Sequence, residues 1–73
     1  MWIKTKDGRL HDITGCTIEA VSGKESGAYC VQLTPRQGKS IWLTSDMDGL
    51  SIKTTMSSIE NALANGRLFI QLE

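Results

Sequence analysis

One segment near the end of the chain has the apolar spacing of a helix, and every other segment has the character of a short strand or a turn. Met56, Ile59 and Leu63 recur at helical spacing in this segment, with Ala62 beside them. The spacing predicts a helix over Thr54–Gly66 whose apolar stripe, Leu63 included, belongs to the core. Because a helix of about ten residues is marginal alone in water, we expect it to pack on a sheet.

Polar residues mark both ends of this predicted helix. Ser57 and Glu60 have the spacing of a capping box, in which each side chain binds the backbone N–H of the other residue. Thr54–Thr55 offers competing N-caps, so the sequence leaves the first residue of the helix open. Asn65–Gly66 predicts a left-handed C-terminal turn, and Leu68 can supply the hydrophobic contact that accompanies such a turn.

Short strands are predicted on both sides of the helix. Asp7–Gly8 indicates a two-residue hairpin loop, because Gly tolerates the positive φ of a tight turn. Such a loop places Trp2 opposite Ile13, and it places Lys4 opposite His11. The predicted strands, from the first to the one after the helix, are Trp2–Thr5, Leu10–Thr14, Cys16–Val21, Ala28–Thr34, Ser40–Thr44, Leu50–Lys53 and Arg67–Gln71.

The alternation of apolar side chains predicts which face of each later strand is buried. In Ser40–Thr44 we expect Ile41 and Leu43 to face the core and Trp42 to face the other way. In the final strand Leu68 and Ile70 are expected to point inward, and Phe69 outward. The polar 22–27 segment is expected to be an exposed and mobile loop.

These elements together predict a single α+β domain over residues 1–73. It consists of a mostly antiparallel twisted sheet, able to curl toward a barrel, with one C-terminal helix followed by a final strand. A chain of 73 residues buries only roughly 60% of the surface of its unfolded form. Domains this small often add a disulfide, a metal or a partner subunit for stability.

The charge balance and the absence of targeting signals narrow the classes of function. Eight basic and eight acidic residues cancel, so the chain lacks the positive charge of a dedicated nucleic-acid or membrane-surface binder. Two cysteines are few for a secreted disulfide scaffold. No apolar run approaches a membrane span of about 18 residues, and the N-terminus is too polar for a signal peptide. We therefore expect a cytoplasmic protein with no membrane partner. Leu72–Glu73 carries no functional weight, since it can derive from an expression vector.

The residues able to carry chemistry do not form a recognisable site. Adjacent strand residues point to opposite faces, so Asp12 cannot orient His11 as a catalytic base. The spacing of Cys16 and Cys30 matches no zinc pattern, and we expect two reduced thiols with Cys16 the more buried. Asp46–Gly49 lacks the later ligands of a calcium loop and is interpreted as a turn. We predict neither an enzyme, nor a cofactor, nor a metal site.

Four aromatic residues, Trp2, Tyr29, Trp42 and Phe69, leave three interpretations open. They can belong to the core, they can be hot spots of a protein interface, or they can stack nucleic-acid bases on a sheet face. The candidate interface residues are Trp42, Trp2 and Phe69. Trp42 comes first because its strand neighbours already supply the inward face. The predicted function is a non-enzymatic protein-interaction module that binds an unknown protein or itself, with a small nucleic-acid-binding domain as the alternative.

Glycines of predicted turns and apolar residues of predicted strands follow one another in an order that is also found in other small proteins. The chain runs Tyr29-x-Val31, Gly38, Ile41-x-Leu43, Asp46-x-x-Gly49, Leu50-x-Ile52, Ala62 and Phe69-x-Gln71, after an opening of Met1-Trp2-Ile3 and Asp7-Gly8-x-Leu10. This pattern resembles small uncharacterised bacterial proteins, mostly from gammaproteobacteria, and short phage proteins. The resemblance implies a strand meander, a helix and a closing strand, and it implies no activity.

Overall fold

A computed structural model describes residues 1–72, and within this range six strands form two sheets beside one helix. The elements in chain order are β1 (Trp2–Lys4), β2 (Leu10–Asp12), β3 (Thr17–Ser22), β4 (Tyr29–Thr34), β5 (Ile41–Trp42), α1 (Gly49–Ala64) and β6 (Phe69–Gln71). The predicted α+β class is confirmed, since most strand pairs are antiparallel and a final strand follows the helix. The two sheets stay separate, so the strands do not close into a barrel.

One sheet, here called the N-terminal sheet, has the strand order β2–β1–β6. Its central strand β1 pairs antiparallel with β2 and parallel with β6. A parallel pair needs a long crossover connection, and the chain between β2 and β6 supplies it. The two ends of the chain are therefore neighbours in one sheet, with Phe69 opposite Trp2 and Ile70 opposite Ile3.

The turn between β1 and β2 is longer than predicted. Its loop has three residues, because the Thr5 N–H donates to the Arg9 carbonyl oxygen at 2.8 Å. Gly8 closes the loop with a φ of 89°, as in hairpins with a bulge after the turn. The Thr5 hydroxyl stabilises this form, since it donates to the Asp7 carboxylate and accepts the Arg9 N–H at 3.2 Å.

The extra loop residue shifts the strand register. The predicted pairings of Trp2 with Ile13 and of Lys4 with His11 are wrong, because Trp2 lies opposite Asp12. A shift of one residue moves side chains to the other face of a strand. Ile13 is consequently buried in the core, whereas Trp2 lies on the outer surface.

The other sheet has the order β3–β4–β5 and is antiparallel throughout. The predicted hairpin of β3 and β4 around the 22–27 loop is confirmed. β5 is shorter than the predicted Ser40–Thr44, although Leu43 is buried as expected and donates its N–H to the Val31 carbonyl oxygen at 2.8 Å. Ile41 is 40% exposed, so its predicted burial is wrong. The reason is that β5 lies at the sheet edge, beside an open groove.

The helix begins earlier than predicted, at Gly49. Leu50–Lys53, predicted as a strand, forms its first turn, and Ile52 is one of its buried residues. Asp48 is the N-cap, because its side chain accepts the Ser51 N–H at 2.7 Å. A capping carboxylate satisfies one of the N–H groups that the first turn leaves without a partner.

The capping box predicted at Ser57–Glu60 is wrong, since these residues lie in the middle of the helix. The predicted C-terminal turn at Asn65–Gly66 is confirmed. Gly66 has a φ of 67°, and the Arg67 N–H donates to the Ala62 carbonyl oxygen at 3.0 Å, as in a Schellman motif. Leu68 is 80% exposed because it lies outside this turn, so neither its expected contact nor its expected burial is found.

The core draws on both sheets and on the helix. Leu63, predicted as a core residue, is 50% exposed although Ala62 in the same turn is buried, because the buried side of the helix follows Ile52, Ile59 and Ala62 and leaves Leu63 beside it. Ile59 is 1% exposed and anchors that side instead. The buried apolar cluster comprises Ile3, Ile13, Val31, Leu33, Leu43, Ile52, Ile59 and Leu72.

Two further expectations about burial concern Cys16 and the last residues of the chain. Cys30 is fully buried and Cys16 only partly, so the predicted order is wrong, because Cys30 lies on the central strand of its sheet. Leu72 packs in the core and donates its N–H to the Lys4 carbonyl oxygen at 2.8 Å. Glu73 lies outside the described residues.

Candidate functional site

The outer side of the N-terminal sheet carries large apolar side chains that no other part of residues 1–72 covers. Alternation along β1 turns Ile3 into the core and turns Trp2 and Lys4 outward. We call this surface the aromatic face. Its members are Trp2 and Lys4 on β1, Leu10 and Asp12 on β2, and Phe69 and Gln71 on β6.

An aromatic pair lies at the centre of the aromatic face. Trp2 and Phe69 are directly opposite each other across β1 and β6, and they are 47% and 48% exposed. Leu10 is 56% exposed and lies opposite Lys4. Since an aromatic side chain offers about 150–250 Å², the three apolar residues leave about 300 Å² in water. Apolar patches of about that size on monomers are often functional.

Two opposite charges flank the aromatic pair. Lys4 is the next outward residue after Trp2 on β1, and Asp12 lies beside Trp2 on β2. The Thr14 N–H donates to the Asp12 carboxylate at 3.0 Å, and the N-terminal amino group lies 3.9 Å from the same oxygen. The hydrogen bonds from Thr14 first, and then the N-terminal charge, hold the pKa of Asp12 below its ordinary value. Asp12 is therefore negatively charged at neutral pH.

The structure brings two of the three predicted interface residues together and separates the third. Trp42 lies on β5 of the other sheet, opposite Gln32, and is 42% exposed. It borders an open groove of about 900 Å³ between the β1–β2 loop, β5 and the first turns of α1. Its role as an interface residue stays a prediction, independent of the aromatic face.

His11 lies in the same groove, on the inner side of β2. It pairs with Ile3, whereas its neighbour Asp12 pairs with Trp2 on the outer side. The expectation that Asp12 cannot orient His11 is consistent with this arrangement. Within residues 1–72, no three His, Cys, Asp or Glu side chains are grouped so that they could hold a metal ion.

Both cysteines are free thiols, as expected. Burial raises the pKa of the Cys30 thiol, and the nearby Asp46 carboxylate raises it further. Cys30 therefore stays protonated at neutral pH, which disfavours a role as a nucleophile.

Asp46 has a structural role that the sequence did not predict, since the sequence indicated only a turn at this position. Its two carboxylate oxygens each accept one backbone N–H of the 22–27 loop, from Lys24 and from Glu25, both at 3.0 Å. Gly23 makes this contact feasible, because a Cβ at that position would collide with the Asp46 carboxylate. We call this arrangement the Asp46 clamp. It ties the exposed loop to the segment after β5.

Leu10 is the large apolar member of the aromatic face that sequence reasoning missed. The two-residue loop expected at Asp7–Gly8 placed it on the same side as Ile3, and the observed register places it beside Lys4 on the outer side. The Asp-Gly pair was the only sequence signal for the register of this hairpin. It does not fix the register, because Asp-Gly occurs in hairpin loops of two residues and of three residues.

Comparisons with protein-family models, with curated proteins and with solved structures find no match to this chain. The resemblance to small bacterial and phage proteins therefore stays a prediction. Within residues 1–72 there is one helix, α1, and it is not long and apolar enough to cross a membrane.

Proposed function

We propose that this chain is a non-enzymatic protein-interaction module that binds its partner through the aromatic face. The observation that carries the proposal is the Trp2–Phe69 pair, which lies half exposed on an uncovered sheet face. Large aromatic side chains at the centre of a contact supply most of the binding energy in protein interfaces. Lys4 and Asp12 supply a charged border beside them.

The energetics of a small domain support the same proposal. The core of this chain is limited by its length, yet it leaves three large apolar side chains of one sheet outside. A partner that covers them adds apolar burial at roughly 25 cal/mol per Å². We propose that the module acts in the cytoplasm, a setting that two unpaired cysteines suit.

Nucleic-acid binding is the second candidate, and one feature favours it. Neighbouring aromatic side chains on an exposed sheet face are also the platform on which single-stranded bases stack. Against it, Lys4 is the only lysine or arginine on the aromatic face and Asp12 lies on the same face, and the whole chain has a formal net charge of zero. Binding to phosphates needs an excess of positive charge.

The experiment compares Trp2→Ala with Trp42→Ala, two tryptophans of similar exposure on different sheets. Each variant and the parent chain are immobilised, and the proteins they retain from a nuclease-treated host lysate are quantified. Circular dichroism checks that both variants fold. We expect Trp2→Ala to lose the retained protein and Trp42→Ala to keep it.

Three other results would contradict the proposal. Loss only in Trp42→Ala would place the contact at the groove, and equal retention by all three chains would remove the aromatic face from binding. Retention that is found in an untreated lysate but not in the nuclease-treated one, together with salt-dependent binding of single-stranded oligonucleotides to the parent chain, would establish the second candidate.

A further inference from the structure

We propose that the partner binds with an extended segment that adds a strand to the free edge of β6 and places an acidic side chain beside Arg67. This inference rests on the proposed function, and it names the part of the partner that lies next to the aromatic face. It is drawn from the hydrogen-bonding pattern of β6 and from the charge of the groove beside this strand.

β6 is an edge strand whose outer backbone groups have no strand partner within residues 1–72. It pairs with β1 alone, at the end of the strand order β2–β1–β6. Trp2 donates its N–H to the Leu68 carbonyl oxygen at 2.9 Å. Because backbone groups alternate in direction along a paired strand, the N–H and C=O groups of Phe69 and Gln71 point away from β1. This edge therefore offers two donors and two acceptors to another strand.

A groove of about 510 Å³ lies between this free edge and the C-terminal half of α1. We call it the amide groove, because Asn61 and Asn65 of α1 and Gln71 of β6 line it. Asn61 and Asn65 are one helical turn apart, so they lie on the same side of the helix. A side-chain amide carries both donors and an acceptor. The groove thus has groups on both walls that can bind the peptide groups of an extended segment.

Strand addition at this edge is a known way of recognising an extended peptide. Main-chain hydrogen bonds to the exposed edge supply affinity, and contacts to alternate side chains supply specificity. Alternate side chains of an added strand lie beside Phe69 and Gln71, on the side of the aromatic pair. An apolar residue of the partner beside Phe69 then continues the row of Trp2 and Phe69. The edge and the aromatic face form one surface, since Phe69 and Gln71 belong to both.

The charge of the amide groove determines what the added strand carries. Among residues 1–72, Arg67 is the one charged residue that lines the groove. Neither of the two ion pairs in this part of the chain involves Arg67. The Ala62 and Leu63 carbonyl oxygens at the end of α1 already accept backbone N–H groups, so they do not need the guanidinium. Because Arg67 lies just before β6, a carboxylate at one end of the added strand can form charge-assisted hydrogen bonds with it.

A peptide library provides the probe for this edge. Random peptides displayed on phage are selected on the immobilised parent chain, and a selected peptide is then added to the isotope-labelled chain. We expect the selected peptides to share an acidic residue and an apolar residue. In the complex, the backbone amides of Phe69 and Gln71 should exchange with solvent at least about fivefold more slowly than in the free chain, because the added strand binds them.

Substitution of Gln71 separates its backbone N–H from its side chain. Gln71→Pro removes the outward N–H and leaves the bonds to β1 in place, since edge strands tolerate Pro where the N–H faces solvent. It should bind the selected peptide at least about fivefold more weakly. Gln71→Ala keeps the N–H and should weaken binding less. Circular dichroism checks that both variants fold, and the exchange measurement on the parent chain needs no substitution.

Charge reversal tests the contact at Arg67. Arg67→Glu should bind the selected peptide at least about tenfold more weakly, and Arg67→Lys should retain part of the affinity. Lys53→Glu is the matched control, because Lys53 is exposed on α1, does not line the amide groove and changes the net charge equally. Its affinity should equal that of the parent chain. A peptide whose acidic residue is replaced by lysine should bind Arg67→Glu better than the parent chain.

Each result decides the inference. A library that yields no binding peptide overturns it, and so do selected peptides that leave the exchange of Phe69 and Gln71 unchanged. Equal binding by Arg67→Glu and Lys53→Glu also overturns it. Exchange that slows with protein concentration in the absence of peptide would identify a second copy as the occupant of the edge. Failure of the proposed function is distinguishable, because a protein that binds through Trp2 without slowing these amides leaves that function intact.

Discussion

Trp2 and Phe69 lie opposite each other on the parallel strands β1 and β6, although they come from opposite ends of the chain. Their side chains share the outer side of the N-terminal sheet, and each is about half exposed. The closing strand thus has two roles. It delivers Ile70 and Leu72 to the core, and it completes an aromatic surface that β1 alone could not form.

We expect Ile59→Ala to destabilise the fold by about 2–5 kcal/mol, because it truncates a side chain that is 1% exposed. Leu63→Ala is the matched control on the same helix, and its effect should be less than half as large, since Leu63 is 50% exposed. Urea unfolding of both variants measures the difference. A larger loss in Leu63→Ala would contradict the described helix packing.

We expect the Asp48 side chain, the N-cap of the helix, to contribute to the stability of the fold. Asp48→Ala removes the acceptor for the Ser51 N–H and should lower the unfolding midpoint, whereas Asp48→Asn should retain most of the stability. Ser57→Ala, inside the helix, should have little effect. The account of the helix start fails if Ser57→Ala is the more damaging substitution.

Stability should fall in acid because three carboxyl groups have lowered pKa values in the folded state. Asp7 accepts the Thr5 hydroxyl, Asp12 accepts from Thr14 and Asp48 accepts the Ser51 N–H. A carboxyl group with a lowered pKa in the folded state binds fewer protons there than in the unfolded chain. Its contribution is present above the unfolded pKa and is lost as the pH falls below about 4.

Unfolding midpoints in urea, measured at a series of pH values for the parent chain and for Asp48→Asn, separate the contribution of Asp48 from those of Asp7 and Asp12. This variant cannot titrate at position 48, so its unfolding midpoint should fall less steeply between neutral and acidic pH. An identical slope in the two proteins would show that the Asp48 cap contributes nothing to acid denaturation.

The Asp46 clamp predicts that Gly23 and Asp46 are energetically coupled. Gly23→Ala should destabilise the parent chain, because the new methyl group displaces the Asp46 carboxylate. The same substitution should cost much less in an Asp46→Ala background, where the clamp is already lost. Additive effects in this double-mutant cycle would contradict the clamp.

Alkylation should distinguish the two cysteines. Cys16 is partly exposed, whereas Cys30 is buried and has a raised pKa, so iodoacetamide should modify Cys16 first in the folded protein. Mass spectrometry of the peptides measures the ratio, and in urea the two thiols should react at similar rates. Faster modification of Cys30 in the folded chain would contradict its burial.

Local patterns in the sequence predicted the fold class, the β3–β4 hairpin and the C-terminal turn at Asn65–Gly66. They did not predict where the helix begins, because Leu50 and Ile52 fit the alternation of a strand as well as the first turn of a helix. Asp48, a turn residue by type, proved to be the N-cap. Neighbouring structure resolves this ambiguity, since Ile52 packs in the core.

The candidate site was predictable only in part. Residue type alone named Trp2 and Phe69, and alternation predicted that Phe69 points outward. Their adjacency depends on the parallel pairing of β1 with β6, a contact between distant segments that no local pattern encodes. Leu10 joined them because Thr5 lengthens the hairpin loop and shifts the register by one residue.

The most direct test of the aromatic face as a contact surface, for a module predicted to bind another protein or itself, uses the two tryptophans as separate reporters. Trp42→Phe leaves only Trp2 fluorescent, and Trp2→Phe leaves only Trp42. Acrylamide quenching is measured for each variant as the protein concentration is raised. We predict that Trp2 becomes progressively protected from quenching while Trp42 stays equally accessible. Constant quenching of Trp2 over a concentration range in which the chain dimerises would contradict the account.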